Sequence, residues 1–149
     1  MAQAEYVFHG AGDQRELERL TLIERVFDPA TQRRLLATGV QAGWRGLEVV
    51  LGAESIMRWL GETVGLTGQI VAVDLNPKFL SQAGRPNVKV MRADIRTVSL
   101  PPQSFDLVHA RYVLIHLSDY EVALAAMLEC LKPGDGWFLR NRISRRPGE

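Results

Sequence analysis

The sequence predicts an α/β fold: a three-layer, doubly wound, mainly parallel sheet of about five strands, preceded by two N-terminal helices. Three observations carry this expectation. Short apolar runs alternate with segments of helical or loop character along most of the chain. The best of those runs are continuous, as in strands covered on both faces. Capping and stop signals bound the helical segments between them.

The elements follow in order. Asp13-Gln14-Arg15-Glu16 has the form of a capping box, and Leu17, Leu20, Ile23 and Phe27 after it share one helical face. Asp28-Pro29 supplies an N-cap and a first-turn proline for a second helix, and Gly39 stops it. Leu47 to Leu51 is a first strand, and Ser55 to Val64 a helix closing at Gly65. Gln69 to Asp74 is a second strand. Asn76-Pro77 opens a short helix that stops near Gly84. Val88 to Met91 and Phe105 to Ala110 are the third and fourth strands. Ser118-Asp119-Tyr120-Glu121 is a second capping box, for a helix running to Leu131 and ended by Lys132-Pro133-Gly134. Trp137 to Ile143 is the fifth strand.

Composition narrows the function classes. The 149 residues suit one domain, and 46% hydrophobic residues suffice for a core. With 18 basic and 17 acidic residues the net charge is +1, so no nucleic-acid partner is expected. Arg140, Arg142, Arg145 and Arg146 read as a solvated tail. The single cysteine, Cys130, permits no internal disulfide and reads as a small buried hydrophobe. The charged first 25 residues do not resemble a signal peptide, and no apolar run reaches the roughly 20 residues of a membrane helix. A cytoplasmic protein with no membrane partner is expected. No cluster of His, Cys and acids has metal-site spacing, and neither a P-loop nor Gly-x-Ser-x-Gly is present.

In an open parallel sheet, ligands bind beyond the carboxyl ends of the strands, where the strand order reverses. The residues just after each strand are therefore the ones to read. Leu51-Gly52-Ala53-Glu54-Ser55 brings a glycine and a helix N-terminus after the first strand. Asp74 ends the second strand, 22 positions beyond Gly52, a spacing at which an acid can accept both hydroxyls of an adenosine ribose. Its alternative is a cap on the next helix. Asp94 can accept from an adenine amino group while Ile95 covers the ring; alternatively Asp94 caps a turn before Arg96. Arg111 and His116 follow the fourth strand, His116 reading as a packed or cap-side histidine. Trp44, Trp59 and Trp137 read as core or cover residues.

Glu48 to Glu54, Val71 to Asp74, Ala93-Asp94-Ile95, Phe105 to Ala110 and Leu131-Lys132-Pro133-Gly134 occur in an order and spacing that resemble class I, Rossmann-like, S-adenosylmethionine-dependent methyltransferases. Gly10 to Leu17 resembles the lead-in helix of bacterial small-molecule members. The resemblance covers nearly the whole chain. It implies S-adenosylmethionine as cofactor, Glu48 supporting the loop or the methionine amino group, and Gly52 lining the methionine end. It implies Asp74 at the ribose, Asp94 and Ile95 around adenine, and Arg111 near the donor. It names no catalytic residue. Methyl transfer from a sulfonium is an in-line displacement for which positioning supplies much of the rate.

Two departures stand out. The family's acid-x-Gly-x-Gly-x-Gly reads here with Val50, Gly52 and Glu54 at the glycine positions. Val50 resists a positive φ and brings a side chain into the donor's volume. Glu54 either occupies the anion site at its own helix N-terminus or points to solvent. The resemblance also divides the chain into N-terminal helices, 1–40, and a core, 41–149, lacking the family's last two strands. The fifth strand is then an exposed edge, which either Arg140 and Arg142 keep from pairing or a second chain covers in a homodimer. Two functions follow. One is methyl transfer to a small-molecule acceptor; the other is a degenerate, non-catalytic domain used for association or for another ligand. A nicotinamide dinucleotide domain fits less well, since residues 50–56 hold one glycine.

Overall fold

The computed structural model describes residues 12–50, 54–80, 85–133 and 137–141. Its strands are β1 (Arg45–Val49), β2 (Gln69–Asp74), β3 (Val88–Arg92), β4 (Leu107–Arg111) and β5 (Trp137–Asn141). All pair in parallel, in the order β3-β2-β1-β4-β5. The chain leaves β1 toward β2 and β3, then returns to lay β4 on the other side of β1. The reversal of order thus falls between β1 and β4, and a crevice at their carboxyl ends follows from it.

Strand side chains alternate between faces, and each face has its own core. Leu47, Val49, Val71, Val73, Val108 and Ala110 pack on one side against Ala123, Met127 and Cys130 of α3 (Tyr120–Cys130). Val50, Ile70, Ala72 and Leu107 pack on the other against Ile56, Met57, Leu60 and Val64 of α2 (Ser55–Val64). Burial on both faces explains why the inner strands read as continuous apolar runs. Gly61 lets α2 approach β3: a Cβ there would lie 2.8 Å from Val88 Cγ2. Gly65, at φ +64°, ends α2 as the sequence indicates.

The N-terminal region departs from the two helices expected. Asp13–Ala37 is one helix, α1, with Pro29 inside it. Pro29 removes the N–H that would bond to the Arg25 carbonyl, a local cost of about 3 kcal/mol. Tertiary contacts on either side of it outweigh that cost. Leu35 is fully buried in the α2-side core, and Asp28 accepts from Arg111 instead of capping a helix. Helix α1 also starts one residue earlier than a cap at Asp13 implies. Gly12 is the N-cap, and Glu16 pairs with Arg19.

Three smaller differences concern the loops. Residues 76–80 form a turn, closed by Leu80 N–H donating to the Pro77 carbonyl; the rest of the expected helix lies outside the described residues. Asp119 caps α3 without a side-chain bond, its carboxylate taking Arg96 instead. A 3-10 turn, Leu114–His116, follows β4, with His116 exposed.

Candidate functional site at the carboxyl end of the sheet

Two groups of residues meet at this end of the sheet. At the ends of β2 and β3, Asp74 is 2% exposed and its Oδ1 accepts the Asn76 N–H at 3.0 Å. The Asp74 carbonyl accepts the Ala93 N–H, which draws the Asp94 turn alongside. Asp94 is largely engaged there. Its Oδ1 accepts the Arg96 backbone N–H and Nε, both at 2.9 Å, and its Oδ2 accepts Nη2 at 2.6 Å. These bonds hold its carboxyl below the usual range for aspartate, against the opposing effect of burial. Arg96 also reaches Asp119 at 2.8 Å. Ile95 is buried in the α3-side core.

The second group lies at β1 and β4. Glu48 and His109 are register partners on these neighbouring strands. Glu48 is 4% exposed and His109 is fully buried, with His109 Nδ1 2.6 Å from Glu48 Oε2. Nδ1 therefore donates to the carboxylate. His109 Nε2 is buried with no hydrogen-bond partner among the described residues. Two positions along β4, Arg111 Nη1 donates to Asp28 Oδ1 at 2.7 Å and to Thr31 Oγ1 at 3.2 Å. Tyr112, next in the chain, has φ +60°, a strained value for a bulky residue and one found disproportionately at functional sites. Its ring meets the Phe27 ring edge-to-face at 5.3 Å.

Helix α1 thus spans the crevice. Glu24, Asp28 and Thr31, at spacings of four and three, share a helical face. Asp28 and Thr31 meet the end of β4, while Glu24 reaches the start of α2. The Ser55 N–H points to Glu24 Oε1 at 3.4 Å. Burial is the main influence on Glu24 and pushes its carboxyl up, with Asp28 adding to the effect and the backbone bonds from Ser55 and Glu54 opposing it.

Gly52 lies outside the described residues. Neither alternative for Glu54 matches its placement: it pairs with Arg58 one turn along α2, and Glu24 is the carboxylate brought to Ser55. Val50 is 6% exposed and takes a negative φ, its N–H donating to the Val73 carbonyl as a continuation of β1. Its side chain joins the α2-side core, so the valine is accommodated without backbone strain. Cys130 is buried and its thiol is pushed up by desolvation, as suits an inert core residue.

Sequence reasoning missed His109 and Glu24. A signal for the first was present. Glu48 and His109 are lone polar residues in apolar central strands, and buried polar groups demand partners. Glu24 gave none, because its role depends on the path of α1 across the sheet.

A family model described as a methyltransferase domain matches residues 47–139, more than half of the chain. The chain belongs to the methyltransferase domain family. The ubiquinone/menaquinone biosynthesis C-methyltransferase UbiE of Saccharophagus degradans is 31% identical over 106 residues, 65% of this chain and 42% of that protein. UbiE of Pseudomonas fluorescens is 34% identical over 106 residues, covering 65% and 41%. The chain therefore spans about two fifths of the length of these curated relatives. Solved methyltransferases share the fold. A SAM-dependent methyltransferase of Aquifex aeolicus superposes with a TM-score of 0.62 at 23% identity, over 76% of this chain and 68% of that one. An S-adenosylmethionine-dependent methyltransferase of Mesorhizobium loti gives 0.58 at 26%, over 68% and 47%. In this methyltransferase domain, Glu48, Asp74, Asp94 and Arg111 all lie in the carboxyl halves of strands or just beyond them.

Proposed function

We propose that this methyltransferase domain binds S-adenosylmethionine in the crevice at the ends of β1, β2 and β4 and serves methyl transfer to a small-molecule acceptor. The donor supplies a methyl group on a sulfonium, ready for in-line displacement. The observation that carries the reading is Asp74: a buried carboxylate at the carboxyl end of β2, one strand from the point where the strand order reverses. An ionised carboxylate is a hydrogen-bond acceptor only, and ribose hydroxyls are donors that suit it. Glu48, held by His109, supports the loop after β1. Arg111 ties α1 across the crevice and helps exclude water from it. Arg96 stiffens the Asp94 turn beside the adenine position. The UbiE relatives are named as C-methyltransferases of quinone biosynthesis, which is consistent with a small-molecule acceptor.

Calorimetric titration with S-adenosylmethionine and S-adenosylhomocysteine tests the proposal. Saturable binding is expected, weakened about tenfold or more in Asp74→Ala by the loss of charge-assisted bonds. An unchanged affinity in that variant removes Asp74 from the site.

A second reading has its own support. Val50 fills a position that is glycine in the family's motif, and Arg96 engages both oxygens of Asp94. These features suit a domain that keeps the fold for association or for another ligand. Absence of any donor binding, by heat or by thermal shift at millimolar ligand, selects this reading. A second copy pairing along the outer edge of β5 is compatible with both functions, and light scattering reports it.

A further inference from the structure

The donor's amino-acid end carries an ammonium group, and a carboxylate is its natural partner. Most acids with described side chains at this end of the sheet are already matched. Glu48 is bonded to His109, Asp28 to Arg111, Glu54 to Arg58, and Asp94 and Asp119 share Arg96. Asp74 stands at the far side of β1 and accepts the Asn76 N–H. Glu24 differs from these. It is half-buried, it accepts backbone N–H bonds from Ser55, at 3.4 Å, and from Glu54 at the start of α2, and it forms no ion pair among the described residues. One residue it touches carries an unsatisfied group, since Ser55 Oγ is buried with no hydrogen-bond partner among the described residues. A partly desolvated carboxylate beside an unmatched hydroxyl can serve a ligand that brings both a cation and hydrogen-bonding groups.

We infer that Glu24, from the N-terminal helix, is the acid that binds the ammonium of the donor's amino-acid end, in place of the Glu48 of the loop motif. The inference rests on the donor-binding reading above. It makes α1 part of the binding machinery as well as a cover. Two features support the assignment. His109 holds Glu48 at a 4% exposed position within the sheet. Asp28, one turn beyond Glu24, is tied to the end of β4 through Arg111, which fixes α1 over the crevice.

Two ligands separate this inference from the reading it rests on. S-adenosylhomocysteine carries the amino-acid end without the sulfonium. Methylthioadenosine keeps the nucleoside and lacks the amino acid. Binding of both to the full chain, to Glu24→Gln and to Glu24→Asp is measured by calorimetry. The glutamine keeps size and hydrogen bonding but not charge. It is expected to weaken S-adenosylhomocysteine about tenfold and to leave methylthioadenosine unchanged. Glu24→Asp keeps the charge and is expected to retain more of the affinity than glutamine. A purely structural role for Glu24 moves both ligands together and overturns the inference. Tighter S-adenosylhomocysteine binding in Glu24→Gln also overturns it, because Glu24 would then be a competitor of the ligand's carboxylate at Ser55. If neither ligand binds any of the three proteins, the donor reading fails and this inference falls with it. If methylthioadenosine binds all three and the glutamine leaves S-adenosylhomocysteine unaffected, only the assignment of Glu24 fails.

Discussion

Replacing His109 with leucine removes one partner of a pair that has almost no access to water. His109 is fully buried and Glu48 is 4% exposed, with 2.6 Å between Nδ1 and Oε2. Leucine matches much of the imidazole's volume, so the cavity left is small. The cost lies in Glu48, whose carboxylate loses its donor while staying inside the sheet. Breaking one side of a buried pair costs about 3–5 kcal/mol. His109 already leaves Nε2 without a described partner, so part of the imidazole's desolvation is uncompensated in the native protein and its removal is a gain. The lower end, about 3 kcal/mol, is therefore expected. For a domain of this size that corresponds to a fall of roughly 6–12 °C in melting temperature. The double variant Glu48→Leu/His109→Leu removes both polar groups and should recover most of the loss, because an apolar replacement of a buried pair is often neutral or better. Urea unfolding of the parent, both single variants and the double variant closes the cycle. A loss below about 1 kcal/mol in His109→Leu, or a double variant no more stable than the singles, would refute the claim that the pair is a matched buried unit.

Other outcomes are equally specific. Pro29→Ala restores an N–H inside a continuous α1 and should raise the urea midpoint, by up to about 3 kcal/mol in stability; no gain would place Pro29 at the first turn of a separate helix. Asp94, held below its usual range by Arg96, favours folding above the carboxylate range of the unfolded chain, and that contribution is lost as the pH falls through its lowered folded value. Melting temperature measured from pH 6 down to pH 2.5 should therefore fall less steeply in Asp94→Asn, by an amount worth about 1 kcal/mol; parallel curves for the two proteins count against the Arg96 clamp.

The strands were legible because their burial is two-sided. Ile70 to Val73 is apolar throughout, and no reading of it other than a covered strand fits the punctuation around it. The carboxyl-end positions followed from the strands, since Glu48, Asp74, Asp94 and Arg111 only needed a strand end to be assigned. Their partners did not follow. Arg111 meets Asp28 across 83 positions of sequence, and Glu48 meets His109 across 61. Local rules see neither separation. Asp28-Pro29 illustrates the cost of that blindness. Taken alone it is a sound helix start, and the distant Arg111 redirects it. The Asn76-Pro77 start failed for a nearer reason, because Asp74 takes the Asn76 N–H into a side-chain turn.

The tie between Asp28 and Arg111 also bears on the order in which the molecule assembles. A contact between residues 83 positions apart closes a long loop, and its entropic cost is met only after the intervening β1, β2 and β3 have paired. The segment of α1 from Glu24 to Thr31 is then a late arrival in folding. Its anchorage is largely polar, with the Phe27–Tyr112 ring contact as the apolar exception, while Leu35 further along is buried in the core. Late, polar anchorage gives a low free energy of local opening. Native-state hydrogen exchange would therefore find the amides of this turn opening before those of the sheet, so that the crevice beneath α1 is uncovered while the strands stay paired.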